Sequence, residues 1–161
     1  MVASVLLLAA TVTTGLVAGA FALYAHSVMP GLGRVDDRTF VVAFASLDRA
    51  VINPWFMLGG FVGAPVLTAA SAAALWGEPA FGWVVTALAL YAVGAVLTIA
   101  VNVPSNDRLK EAASRGVEDA AAVRAAFDER RWVRSNLVRT GTTLAAFGLL
   151  CWALVESGAA G

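Results

Sequence analysis

The sequence predicts an all-α integral membrane protein: a four-helix bundle with cytoplasmic amphipathic or cap helices in its first and third loops. Three observations predict it. Hydrophobic residues make up 60% of the 161 and charged residues 14%, against roughly 45–50% and about 25% in an ordinary soluble domain. A chain this short, read as one domain over 1–161, cannot hide that surplus in a core, so the surplus faces lipid. Four apolar segments are each long enough to cross a hydrocarbon layer of about 30 Å, which takes about 20 residues. All eleven Lys and Arg residues fall in two loops or at the start of the last apolar segment.

The first span covers about 2–25. No Lys or Arg precedes Arg34, and the stretch exceeds the roughly 7–15 apolar residues of a signal-peptide core, so it is read as a retained helix. The loop at 27–53 follows. Within it, Asp37 to Val51 puts Phe40, Val41, Phe44, Leu47 and Val51 at helical spacing, with Arg38 and Asp48 among the polar positions. That pattern predicts a short amphipathic helix on the membrane or on the bundle. The second span, about 54–76, and the third, about 81–101, are separated by a turn at Gly77-Glu78-Pro79. Pro104, bracketed by Asn102 and Asn106, marks the end of the third helix. In the loop at 102–136, Glu118 to Arg131 is Ala-rich, acidic at its start and basic at its end, as suits a helix. The fourth span covers about 137–155. In lipid the backbone must satisfy its own hydrogen bonds, which makes helices of all four. Gly15 with Gly19, and Gly59 with Gly63, form small-residue pairs that let helices approach closely. They are read first as packing within the bundle, with a homo-oligomer interface as the other reading.

Orientation follows from charge. Arg34, Arg38 and Arg49 lie in the first large loop. Arg108, Lys110, Arg115, Arg124, Arg130, Arg131 and Arg134 lie in the second, and Arg139 opens the fourth span. The positive-inside rule therefore places both large loops in the cytoplasm and both termini outside a cell (inner) membrane. Zero net charge gives no footing for nucleic acid. The lone Cys151 cannot form an intrachain disulfide. Abundant Ala, Gly, Val and Arg, with Lys only at 110, is the composition of a GC-rich bacterial genome. No phosphate loop, dinucleotide-binding glycine motif, nucleophile elbow or zinc motif occurs, which argues against hydrolase and nucleotide-dependent chemistry. Transport ranks last, for want of a mid-membrane charge or an inverted repeat.

The uncommon residues gather at one mouth of the bundle. The first span ends at Tyr24-Ala25-His26-Ser27-Val28-Met29-Pro30-Gly31-Leu32 and the second begins at Asn53-Pro54-Trp55. The third ends at Asn102-Val103-Pro104-Ser105-Asn106-Asp107-Arg108-Leu109, and the fourth begins at Trp132-Val133-Arg134-Ser135-Asn136-Leu137-Val138-Arg139-Thr140. Polar groups at that depth cost free energy unless paired, so they satisfy one another or serve a ligand. Each Asn, taken alone, is equally well a helix tie. The set converging at one mouth points to a pocket.

Those four clusters carry a resemblance. V-M-P-G-L at 28–32, I-N-P at 52–54, N-V-P-x-N-D-R-L at 102–109 and W-x-R-x-N-x-x-R-T at 132–140 resemble the anthrone-oxygenase-like family of small membrane proteins, a domain-of-unknown-function family. The resemblance runs through nearly the whole chain in the right order. It implies a four-helix membrane fold, and some fungal relatives oxidise anthrones to anthraquinones without a known organic cofactor. Relatives often carry His in the fourth motif as N-H-x-R, where this chain has Leu137. If that His is the base, His26 must substitute or the activity differs.

The leading expectation is thus an oxygenase acting on an apolar aromatic, anthrone- or polyketide-like substrate drawn from the lipid bilayer. His26 is the only histidine, and histidine is the residue type most often used as a general base. Arg139 and Arg108 would hold enolate or phenolate charge. Asn53, Asn102, Asn106 and Asn136 complete the polar mouth, and Tyr24 and Trp132 would stack on a flat ring. No cofactor is expected. The variant with a transition metal rests on His26 joined by Asp48, Asp107 or Asp128, a thin ligand set. The alternative class is a non-catalytic membrane module that binds a lipid or small molecule or docks a partner through its cytoplasmic cap.

Overall fold

A computed structural model of the protein describes residues 1–159, and helices account for nearly all of them. Four helices are long and apolar enough to cross a membrane: α1 (Val2–Leu32), α3 (Trp55–Ala74), α4 (Phe81–Ser114), and α6 (Glu129–Ala159) with its preceding turn. Between them lie two cap helices, α2 (Asp37–Val51) and α5 (Ala120–Phe127). α1 packs on α3 and α6, and α4 packs on the same two, so the four spans close into a ring. Chain neighbours run antiparallel, as short connections require. The protein is a multi-pass helical membrane bundle.

The spans are apolar on every side, as expected of helices solvated by lipid. On α1, Val5, Leu8, Val12 and Leu16 form an outward stripe, while Leu7, Ala10, Thr14, Val17 and Phe21 turn inward. The bundle core is built largely of small side chains, including Ala64, Ala87, Ala146 and Ala153, because close packing rather than water exclusion holds helices together in lipid. Gly15 faces the Phe147 ring, where an added Cβ would lie 2.8 Å from a ring carbon. The second glycine pair is differently placed: Gly60, not Gly59, faces Val17.

Three spans run past their expected limits at the capped end. α1 passes through Pro30 and α4 passes through Pro104, the position read as a helix end. The reason is local. Each proline follows a π turn by two residues, Tyr24–Val28 in α1 and Thr98–Asn102 in α4. A π turn already displaces the regular ladder of backbone bonds, so the missing proline N–H is absorbed there. α3 opens with a longer π stretch, Trp55–Val62. Tyr91 Oη donates to the Phe61 carbonyl in that stretch at 2.8 Å, supplying a donor from the neighbouring span. α6 starts at Glu129, eight residues before the expected 137.

Gly63 ends the α3 π stretch for a steric reason, since a Cβ there would sit 2.7 Å from the Leu58 carbonyl oxygen. Backbone would have to move, at about 1–3 kcal/mol. Gly63→Ala is therefore expected to lower the thermal midpoint of the detergent-solubilised protein by several degrees. Gly59→Ala, whose Cβ meets nothing within 4 Å, should leave it unchanged or raise it. Equal midpoints for the two variants would refute the steric account.

The turn between α3 and α4 forms where Gly77 was expected to break the helix, with Gly77 at φ +84. α2 has the limits read from the sequence, capped by Asp36, whose carboxylate accepts the Thr39 amide at 3.0 Å. The Thr39 hydroxyl and amide hold that exposed carboxyl below its usual range. Its faces differ from expectation. Leu47 is exposed, whereas Asp48 is buried beside Phe44 and Ala45. Asp48 follows Val41 and Phe44 by seven and four residues and so shares their face. The single helix expected over 118–131 is broken at Asp128, whose φ of 53 is left-handed, and Asp128 Oδ1 then caps α6 through the Arg131 amide.

The caps have their own aromatic core of Phe40, Phe44, Phe127 and Trp132. Burying each such ring is worth about 1.5–3 kcal/mol where water is the alternative. Arg124 ties the caps together: it bonds Asp37 at 3.1 Å and Glu129 at 2.6 Å, and its guanidinium lies 4.3 Å from the Phe40 ring centre. Between the two cores, at the inner edge of the cap, lies a cavity.

Candidate functional site

The cavity measures about 390 Å³, within the roughly 300–1,000 Å³ of small-molecule sites. All four spans and α2 contribute to its wall. Phe21, Phe56, Met57, Phe61 and Ile99 make it predominantly apolar, and the polar groups are few: Tyr24, Asp48, Thr98, Asn106, Asp107, Lys110 and Arg139.

Arg139 is the unusual one. It is 6% exposed, and among the described residues no carboxylate lies within ion-pair distance of it. Its Nε donates to Asn136 Oδ1 at 2.9 Å and one terminal nitrogen donates to Thr98 Oγ1 at 3.3 Å. A guanidinium has five N–H donors, so most of its capacity is left facing the cavity. The cation lies over two rings, 4.2 Å from the Phe21 centre and 5.3 Å from Trp132. Cation–π contact of this kind compensates part of the desolvation cost, at up to about 2 kcal/mol. Gly94 makes the close approach of α4 to α6 feasible beside this turn, since a Cβ there would press on the Thr143 and Thr142 hydroxyls.

At the cap side runs a polar chain through three helices. Trp132 Nε1 donates to Asn106 Oδ1 at 2.7 Å, and Asn106 Nδ2 donates to Asp48 Oδ1 at 2.6 Å. Asp48 Oδ2 pairs with Lys110 Nζ at 2.8 Å, and Lys110 also meets Asp107 at 2.9 Å. The chain fixes Asp48 at the cavity wall with further lone pairs available, because a carboxylate accepts about four hydrogen bonds. α2 is held down here too, by Arg49 donating to the Lys110 carbonyl at 3.1 Å.

The residues expected at the mouth divide into three groups. Tyr24, Asn106, Trp132 and Arg139 line the cavity together, with the Tyr24 and Trp132 rings 5.9 Å apart. Asn53, Asn102 and Asn136 are ties behind it. Asn53 accepts the Phe56 amide and donates to the Ala50 carbonyl, joining α2 to α3. Asn102 accepts from Ser135 and donates to the Trp132 carbonyl, joining α4 to α6. Asn136 donates to the Phe21 carbonyl of α1 and holds Arg139 from behind. His26 and Arg108 lie outside the cavity wall. His26 is exposed on the π turn of α1, and Arg108 is exposed, bonding its own helix at the Pro104 carbonyl.

Asp48 is the wall residue that the sequence reading placed on the wrong side. Its signal was present, since a carboxylate spaced with the apolar residues of an amphipathic helix is out of place. Lys110, Thr98 and Phe21 gave no such signal. As for metal ligands, His26, Asp48, Asp107 and Asp128 do not converge: among the described residues no three His, Cys, Asp or Glu side chains come together.

Comparison with known proteins bears on the same stretch. Searches of the curated proteins and of the solved structures found no match. A family model described as anthrone oxygenase matches residues 49–149. The matched stretch takes in the motifs that supply Asn53, the Asn102–Leu109 turn, Trp132 and Arg139. A match across more than half of the chain, over the segments that form most of the cavity wall, shows that the chain belongs to the anthrone oxygenase family.

Proposed function

We propose that the protein is a membrane oxygenase that oxidises a flat, apolar aromatic ketone of the anthrone class at this cavity. The observation behind the reading is Arg139, a buried cation over two aromatic rings with no carboxylate within ion-pair distance among the described residues, on the wall of an apolar chamber. Such a site suits a planar molecule that becomes anionic during reaction, because preorganised donors stabilise charge as it develops. We place the mouth on the cytoplasmic side, since the basic residues cluster there.

The chemistry runs without an added cofactor. The Asp48 carboxylate removes a proton from the ring CH₂, and the resulting enolate oxygen rests on Arg139. The carbanion passes one electron to O₂. The radical pair combines with a new C–O bond to give a peroxide anion, and Asp48 returns its proton to it. Loss of the second C–H proton with cleavage of the O–O bond leaves the quinone carbonyl and one water. One anthrone and one O₂ thus give one anthraquinone and one H₂O.

The test is an oxygen electrode with purified protein in lipid vesicles and 1,8-dihydroxyanthrone, with the quinone followed by its visible absorption. Protein-dependent uptake of one O₂ per quinone supports the reading. Saturable binding of the anthrone with no uptake above the protein-free rate would overturn it in favour of a non-catalytic binding module.

A further inference from the structure

Building on the proposed function, we infer that the cavity takes its ligand sideways from the bilayer, through a gap between α3 and α4. The ligand class is then an amphiphile dissolved in lipid, with an apolar body and an acidic oxygen that reaches Arg139.

The walls differ in what lies behind them. Toward the cap the cavity wall is Trp132 and the Asn106–Asp48–Lys110–Asp107 chain, in which Asp48 is buried and the Asp107 carboxylate at the outer end is exposed. Toward α1 and α6 it is closed by packed spans. α3 and α4 pack on each other along Gly63–Ala74 and Phe81–Leu97, but their π stretches, Trp55–Val62 and Thr98–Asn102, make no extended contact. There the spans part. Wall residues bordering the gap on these two spans are outward-facing and apolar, Ile99 at 65% exposure and Val103 at 41%, with Met57 half-buried.

An opening rimmed by such side chains on membrane-spanning helices meets hydrocarbon, not water. A polar solute would have to shed its hydration to reach it, whereas a partitioned aromatic is already there. The π turns have a direct part in this. They widen the helix and shift its register, which separates the two spans at the level of the cavity, while the regular turns beyond Gly63 bring them together again.

Trp132 reports on the opening, because it lines the cavity and is 2% exposed. A protein with Trp55, Trp76, Trp83 and Trp152 each changed to Phe retains it as the sole tryptophan. In vesicles of dioleoylphosphatidylcholine, exchange for the 9,10-dibromo lipid should quench its fluorescence at least twofold, while aqueous acrylamide quenches weakly. Ile99→Phe with Val103→Phe, both at exposed positions, should fill the gap and remove most of the bromolipid quenching. The same pair should slow transfer of 1,8-dihydroxyanthraquinone from vesicles to protein at least fivefold.

Strong acrylamide quenching without bromolipid quenching would mean that the cavity opens to water and would overturn the inference. Bromolipid quenching that the Phe pair leaves unchanged would overturn it as well, since the route is then elsewhere. Neither readout requires turnover. Absence of oxygen uptake together with the expected quenching would therefore sink the oxygenase reading and leave lateral entry standing.

Discussion

Replacing Arg139 by Gln is expected to lower oxygen uptake with the anthrone at least 100-fold without lowering the thermal midpoint of the protein. The first part follows from the role of the guanidinium as a cation facing the apolar chamber beside the ring-stacking residues, unlike Lys110, whose charge is held by Asp48 and Asp107. Loss of one preorganised donor to a developing oxyanion costs about 10²–10³ in rate. The second part follows from the ion's surroundings. A buried charge without a carboxylate is a burden on the fold, and its removal is commonly neutral or stabilising. Gln also retains a donor for Asn136 Oδ1. Arg139→Lys should remain impaired, because an ammonium point charge cannot span Asn136, Thr98 and a ligand oxygen as a planar fork does. Parallel kinetics and thermal melts of the three proteins decide it. A fall in stability that matches the fall in activity would make Arg139 a structural residue and remove its proposed role.

Asp48→Asn should cost about 10²–10⁴ in turnover, the range in which a positioned general base contributes, while His26→Ala should change turnover less than twofold. Asn at 48 still accepts from Asn106, and Lys110 retains Asp107, so the cap has its anchors and circular dichroism should be unchanged. His26 is exposed on the α1 π turn and is not one of the residues that line the cavity. Steady-state oxygen uptake across substrate concentration separates loss of kcat, expected for Asp48→Asn, from a rise in KM. Inactivity of His26→Ala with wild-type activity of Asp48→Asn would reverse the assignment and restore the histidine.

These two residues show where sequence reading reaches its limit. The single histidine stood out because of its chemistry, and its place at the end of an apolar helix put it at the right depth. Depth is a property of sequence position, but direction is not. The α1 π turn carries one extra residue, and a residue's worth of rotation on a helix is about 100°. Asp48 was assigned to the polar side of α2 because carboxylates usually lie there. Its partners, Asn106 and Lys110, come from a helix some sixty positions away, and only their arrival makes burial of that charge tolerable.

Sequence alone determined the number of membrane-crossing helices, the two polar loops on one side, the amphipathic α2 and the gathering of Asn, Arg and aromatic residues at one mouth. Each is a one-dimensional property: hydropathy over about 20 residues, charge distribution, or spacing along a helix. Tertiary structure decided the rest. The spans continue through Pro30 and Pro104 because π turns absorb the lost backbone bond, and Asn53, Asn102 and Asn136 serve as ties because neighbouring helices present backbone or hydroxyl partners to them. Arg139, Asp48 and the gap between α3 and α4 share one chamber only after four spans and a cap helix have closed around it. The physical reason is common to all of these. A polar group in an apolar setting takes its role from the partner that satisfies it, and that partner is chosen by packing across the bundle rather than by neighbours in the chain.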